Sequence, residues 1–169
     1  MSGGALQDFD TRANNPAAWL ETARELLHAA ERLHASIGAT VMNQQAVTEL
    51  TGCVRGSALL IGFALENALK GLAVHRGVLK AVGGSFKLNS VFGQHRLEEM
   101  ATSLGVWADE TSQVMLKRSA LAIRWASRYP MPLSHREVQL DSVILIMSPT
   151  DIGEADRMIR AIEDLLQAA

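Results

Sequence analysis

The sequence predicts an all-α fold, an antiparallel bundle of four to five helices. Its 169 residues suffice for one domain with a single hydrophobic core. Hydrophobic residues make up 48% of the chain and aromatic residues only 5%, so aliphatic side chains must fill the core, which favours helices over a β-sandwich. Apolar residues recur at helical spacing in several long segments. We assign residues 16–169 to one helical domain and the polar residues 1–15 to a flexible N-terminal lead-in.

The first two predicted helices have the clearest apolar patterns. Asn15-Pro16 supplies an N-cap and a first-turn proline, and the helix that follows extends to about Ser36. A less regular stretch then leads to a long helix over residues 46–76, whose apolar positions form one buried stripe. Glycines inside this helix weaken it locally and are typical of close helix contacts; they are Gly52, Gly56 and Gly62.

The middle of the chain is predicted to be less regular. Residues 77–93 contain four glycines and no apolar period, which predicts a long mobile loop. A third helix is expected over residues 94–104. A fourth is expected over residues 110–128, with Asp109 as its N-cap.

The final segment begins with two closely spaced prolines. Residues 129–132, Tyr-Pro-Met-Pro, must be extended, because proline restricts both its own backbone and that of the preceding residue. Residues 138–147 have the composition of a short β-hairpin. A last helix begins with Pro149 in its first turn and ends near Gln167.

Composition excludes several classes of protein. The single cysteine, Cys53, excludes an internal disulfide framework and fits a reducing compartment. The net charge of −2 predicts no global attraction to nucleic acid or to membranes. We expect neither a metal nor a cofactor, since no residue group has metal-ligand spacing. The longest apolar stretch, residues 58–74, contains three polar residues that argue against a membrane span, so we expect a cytoplasmic protein; these are Glu66, Asn67 and Lys70.

The fourth helix belongs to a locally basic segment. Residues 111–136 contain no acidic residue and five basic ones. Its candidate phosphate-binding residues are Lys117, Arg118 and Arg124. The alternative is that these side chains form structural ion pairs across the bundle. The helix also has apolar residues on two sides, which suggests that one side faces the core and the other a second copy of the chain.

Glu66, Lys70 and His95 form a second candidate cluster. Glu66 and Lys70 lie one turn apart on a largely apolar helix, in the favourable order for an ion pair. The stronger hypothesis is a buried polar cluster that His95 joins from the start of the next helix. Such a cluster would shape a site or set the register of the bundle.

Three motifs occur in a familiar order: Ala64–Leu72 with its Glu-x-x-x-Lys, then Gln94–Met100 with His-x-Leu, then Arg128-Tyr129-Pro130. This combination resembles the HEPN family of small helical bundles. The resemblance implies a bundle of four or five antiparallel helices that forms dimers. Some members of that family are RNA-cutting toxins, and others accompany a nucleotidyltransferase as substrate-binding partner or as toxin to its antitoxin.

The resemblance also implies a candidate catalytic pair, Arg128 and His135. HEPN ribonucleases carry an Arg, four to six residues and then a His, and the pair meets its copy across the dimer. The chemistry is sensible, because metal-independent RNA cleavage needs a base for the 2′-hydroxyl and a cation for the phosphorane. The alternative is a loop histidine that lies near a helix-terminal arginine without any shared role.

Three functions remain open at this point. The first is a homodimer that binds nucleotide or RNA through the basic fourth helix, within a toxin–antitoxin or defence-type module. The second is a metal-independent endoribonuclease. The third is a non-catalytic partner that docks another protein, such as a nucleotidyltransferase.

Overall fold

The computed structural model describes residues 3–41, 47–106, 109–128 and 149–168. These residues confirm the all-α class, with a two-stranded hairpin as a small addition. In chain order the elements are α1 (Gly3–Ala13), α2 (Pro16–Val41), α3 (Val47–His75), β1 (Ala81–Val82), β2 (Ser85–Phe86), α4 (Ser90–Gly93), α5 (Leu97–Ser103), α6 (Glu110–Leu121), a π-helical turn (Ala122–Ala126) and α7 (Pro149–Gln167).

Helices α2 and α3 form a long antiparallel pair at the centre of the molecule. The start of α2 meets the end of α3, where a Cβ added to Gly71 would lie 3.0 Å from the Cβ of Trp19. Further along, the Ser57 hydroxyl donates to the carbonyl of Ala30 over 3.2 Å. Both predicted helices are confirmed, although α2 continues to Val41 instead of ending near Ser36.

The core is aliphatic and centred on α3. Side chains at helical spacing along α3 are fully buried, as the predicted stripe requires: Ile61, Leu65, Leu69 and Leu72. Helix α7 closes this core, and Ile159 and Ile162 are fully buried beneath it. The Arg24 guanidinium ties α2 to α7 at the surface, where it contacts Glu163 and Asp156.

Helix α6 packs against α3, α5 and α7. The Asp109 carboxylate accepts a hydrogen bond from the Ser112 amide over 2.8 Å, which confirms the predicted N-cap. The predicted continuous helix to residue 128 is wrong at its end, because the backbone changes to a π-helical turn after Leu121. A π-helical turn inserts residues into the helical repeat, so an α-helical projection no longer describes the directions of the side chains that follow.

Residues 3–13 of the predicted lead-in form a helix, α1. Tertiary contacts hold α1 in place. The Asp10 carboxylate accepts hydrogen bonds from the amides of Gly83 and Gly84 at 3.0 and 2.9 Å. The Asn14 side chain both donates to and accepts from the backbone of Ala81. A helix as short as α1 is only marginally stable by itself. The composition of residues 1–15 does not reveal the distant residues that stabilise it.

The loop expected over residues 77–93 is also more ordered than predicted. Strands β1 and β2 pair antiparallel, with Val82 opposite Ser85. The two residues between them, Gly83 and Gly84, have φ values of 63° and 79°, and two successive positive φ angles are what a tight hairpin turn needs. The Asn89 side chain then caps α4.

Two other predictions concern parts of the chain that the structure leaves undescribed. The extended residues 129–132 and the hairpin expected over residues 138–147 lie outside the described residues. Within the described ranges, one helix segment, residues 48–75 of α3, is long and apolar enough to cross a membrane by length and composition alone. In that segment 67% of the most apolar window is buried inside the protein, as in the core helix of a helical domain.

Candidate functional site

A buried carboxylate lies at the centre of the candidate site. Glu66 projects from the apolar stripe of α3 with its side chain only 4% exposed. Its Oε1 atom accepts a hydrogen bond from Lys70 Nζ over 2.6 Å, and its Oε2 atom lies 2.8 Å from His95 Nδ1. A buried charge needs paired and hydrogen-bonded partners, and this carboxylate has one on each oxygen. The structure therefore brings together the three residues that the sequence grouped.

His95 adopts an unusual backbone conformation. Its φ angle is 56°, in the left-handed region, which costs a side chain with a Cβ roughly 1–2 kcal/mol. Because Nδ1 of His95 contacts Glu66, Nε2 is the ring nitrogen that this contact does not use, and the buried partner fixes the plane of the ring.

His95 lines a cleft of about 410 Å³, which we call the His95 cleft. One wall is the chain from Gln94 to Glu99 at the start of α5, and the other is Ala120 of α6 with Arg124 of the π-helical turn. A second irregular backbone feature thus reaches the same cleft. Such π-helical turns are rare and are found frequently at functional sites.

The predicted basic residues divide into two groups. Lys117 lies 3.5 Å from Glu98, and the Arg118 guanidinium contacts the buried Asp151 carboxylate at 3.1 Å. These two therefore form the structural ion pairs that were the alternative, and Asp151 is a partner that the sequence did not indicate. Arg124 is exposed and lines the His95 cleft, so it is the predicted phosphate-binding residue that the structure places at a cavity.

One apolar side of the predicted fourth helix faces the core, where Leu116, Ala120 and Ile123 are buried. On the other side Leu121 is buried as well. Among the described large apolar residues of α6, Val114 remains exposed, at 39%. Contacts with α3, α5 and α7 thus cover much of the helix, and a dimer seam along it stays a prediction.

The predicted catalytic pair is described only in part. Arg128 is exposed, and its Nη1 atom donates to the carbonyl of Ile123 over 3.4 Å. His135 lies outside the described residues, so the pairing of Arg128 with His135 stays a prediction. Among the residues that are described, no group of three His, Cys, Asp or Glu side chains could hold a metal ion.

One polar cluster escaped sequence reasoning altogether. The Ser112 hydroxyl donates to Asp109 Oδ1 over 2.9 Å and also contacts Glu154 of α7. Arg157 joins it with contacts to Asp109, Ser112 and Glu154. Asp109 was recognised as a cap, but no local spacing connects it to residues more than forty positions away. We call these four residues the Arg157 cluster.

Comparisons of this chain with protein-family models, with curated proteins and with solved structures find no match in any of the three.

Proposed function

We propose that the protein binds a phosphate-bearing ligand, a nucleotide or RNA, in the His95 cleft. One observation carries this proposal: two irregular backbone features reach the same cavity. His95 is held in the left-handed region, and Arg124 lies in the π-helical turn. Backbone strain persists only where surrounding structure enforces it, and it concentrates at binding and catalytic sites.

Cationic side chains lie in and beside the cleft. Its two glutamates are each within ion-pair distance of a cation, Glu99 of Arg96 at 3.1 Å and Glu98 of Lys117 at 3.5 Å. Arg124 and His95 both line the cleft. A guanidinium can donate two parallel hydrogen bonds to a phosphate.

The proposed assembly and biological role are based on the family resemblance of the sequence. The motif order supports a HEPN-like bundle of four to five helices that acts as a homodimer in a toxin–antitoxin or defence-type module. A nucleotidyltransferase-type protein is the partner that this resemblance suggests.

Binding is tested with a short fluorescein-labelled single-stranded RNA and with ATP. Fluorescence anisotropy at low salt measures binding of the RNA, and a rise in the melting temperature of the protein measures binding of ATP. The Arg124→Gln variant should weaken RNA binding roughly ten-fold, because a hydrogen bond to a charged group contributes about 1.5–3 kcal/mol. Arg32→Gln, an exposed arginine of α2, is the matched control and should bind as the parent protein does. If both variants lose the same RNA affinity, the loss comes from the lower total positive charge, and the proposed site is wrong.

A metal-independent ribonuclease is the second candidate. The observation that favours it is the position of Arg128, which is exposed in the turn that follows the π-helical residues Ala122–Ala126. RNA cleavage in EDTA, compared among the parent protein, Arg128→Ala and His135→Ala, tests it. Cleavage lost in both variants supports the predicted pair. No cleavage, or cleavage that ignores both substitutions, rejects it. A docking partner would show neither RNA binding nor cleavage.

A further inference from the structure

A second cavity lies beneath α1, away from the His95 cleft. Its volume is about 630 Å³, within the range of about 300–1,000 Å³ typical of small-molecule sites. Helices α1, α2 and α3 and strand β2 supply its walls. Asn67, the neighbour of Glu66 in the first sequence motif, lines this α1 cavity, while Glu66 itself contacts His95.

Three aromatic side chains line the α1 cavity. Trp19 and Phe86 meet edge to face, with ring centroids 5.7 Å apart. Trp19 Nε1 donates to the carbonyl of Ala13 over 2.8 Å, so the indole is fixed in orientation and its polar group is used. Phe9 of α1 lies across from them and is 44% exposed. Aromatic rings gain energy from edge and face contacts with other rings beyond the burial of area.

The polar groups of the cavity are few. Asn67 Nδ2 donates to the carbonyl of Phe63 over 2.7 Å, which fixes the orientation of the amide. Within the described ranges no group donates to the Asn67 oxygen, so it remains available as an acceptor. Asp8 and Arg12 are exposed, one turn apart, at the solvent side of the cavity. Their opposite charges select neither an anion nor a cation.

We propose that the α1 cavity binds an aromatic molecule of about two to three rings that carries one N–H or O–H donor for Asn67. The aromatic walls and the volume set the shape of the ligand, and the amide oxygen sets its one polar contact. A peptide fits less well, because every peptide unit brings a donor and an acceptor that need partners. This site is independent of the phosphate-binding function, and either can fail without the other.

The first experiment uses N-phenyl-1-naphthylamine, an uncharged fluorescent probe with two aromatic groups and one N–H. The intact protein should raise its emission saturably, with one probe bound per chain. Ala18 lines the cavity and the adjacent Ala17 is exposed. The Ala18→Trp variant should fill the cavity and weaken binding at least ten-fold, while Ala17→Trp should leave binding unchanged. Equal binding by the two variants, whether retained or lost, overturns the site.

The second experiment tests the donor. Displacement of the probe by diphenylmethane, which has the shape of diphenylamine but no N–H, should require a concentration about two- to ten-fold higher than displacement by diphenylamine. The Asn67→Ala variant should erase this difference. Absence of the difference in the parent protein, or its persistence in Asn67→Ala, refutes the contact with Asn67. Melting temperatures and circular dichroism of every variant establish that each is folded.

Discussion

Two clusters of charged residues in this protein differ in how deeply their central charged group is buried. The cluster of Glu66, Lys70 and His95 is buried, with the Glu66 side chain 4% and the Lys70 side chain 15% exposed. The Arg157 cluster is more exposed at two of its members, Arg157 at 53% and Asp109 at 36%, whereas its Glu154 is 14% exposed and its Ser112 is buried. Desolvation is therefore most costly for Glu66 in the first cluster and least costly for Arg157 in the second.

The backbone shows the same contrast. Asp109 has φ of −70° and ψ of 177°, the ordinary extended conformation of an N-cap. His95 has a φ of 56° instead. Helix capping and the packing of α6 on α7 account fully for the Arg157 cluster. Neither capping nor packing requires a left-handed histidine, so the buried cluster is the one that indicates a site.

The titration of the surface cluster follows from its contacts. The Ser112 amide, then the Ser112 hydroxyl and Arg157, lower the pKa of Asp109. Arg157, followed by Ser112, lowers the pKa of Glu154. Glu154 in turn raises the pKa of Arg157. Local hydrogen bonds thus keep the carboxylates of this cluster charged, and their ion pairs should be lost when acid protonates them.

The largest expected effect is that of Glu66→Gln. It leaves Lys70 in a largely buried position without a charged partner, which should lower the free energy of unfolding by about 3 kcal/mol. Urea denaturation measures it. The double variant Glu66→Gln/Lys70→Met is the control and should recover a large part of the loss. A loss below about 1 kcal/mol in Glu66→Gln would show that the two clusters differ less than their burial suggests.

The contact that places α6 on α3 gives the next largest effect. A Cβ added to Gly62 would lie 2.8 Å from the Ser119 carbonyl oxygen and 2.6 Å from Ile123 Cγ2. Gly62→Ala should therefore destabilise the protein by about 1–3 kcal/mol. Gly52→Ala, in the same helix with no atom within 4 Å, should stabilise it by up to about 1 kcal/mol. Thermal or urea unfolding of both variants checks the signs, and two stabilised variants would contradict the close approach.

The strain at His95 predicts a smaller difference. His95→Gly and His95→Ala both lose the contact with Glu66, but glycine adopts a positive φ without steric cost. The glycine variant should therefore be about 1 kcal/mol more stable than the alanine variant. Urea unfolding of the pair measures it directly. If the alanine variant is as stable as the glycine variant, the backbone of His95 is not strained, and strain does not distinguish the two clusters.

The smallest effect belongs to the surface cluster. Arg157→Gln should lower the melting temperature at neutral pH by no more than about 2 °C, since exposed ion pairs contribute little. The pKa values of Glu154 and Asp109 are lowered in the folded state. Their stabilisation is thus complete above the unfolded values of about 4 and is lost as pH falls through the lower folded values.

Melting curves of the parent protein and Arg157→Gln from neutral to acid pH test this sign. The difference between the two proteins should shrink toward zero in acid. A difference that grows as the pH falls would contradict the assignment of these carboxylates as the stabilising partners.

The sequence by itself determined the features that depend on neighbouring residues. Helices α2 and α3, the Asp109 cap and the start of α7 at Pro149 follow from periodicity and capping. The pairing of Glu66 with Lys70 follows from their spacing of one turn. Hydrogen bonds between groups a few residues apart are nearly the same in any fold that keeps the helix.

Only the tertiary structure decided the features that depend on distant residues. The ion pair of Arg118 with Asp151 joins two helices far apart in the chain. The hydrogen bonds of Asp10 hold α1 against the hairpin. The left-handed backbone of His95 lies between α4 and α5. The π-helical turn lies where Ile123 crosses Gly62 of α3. Patterns of neighbouring residues cannot predict such contacts, because the energy of a contact between helices depends on how closely the helices approach each other.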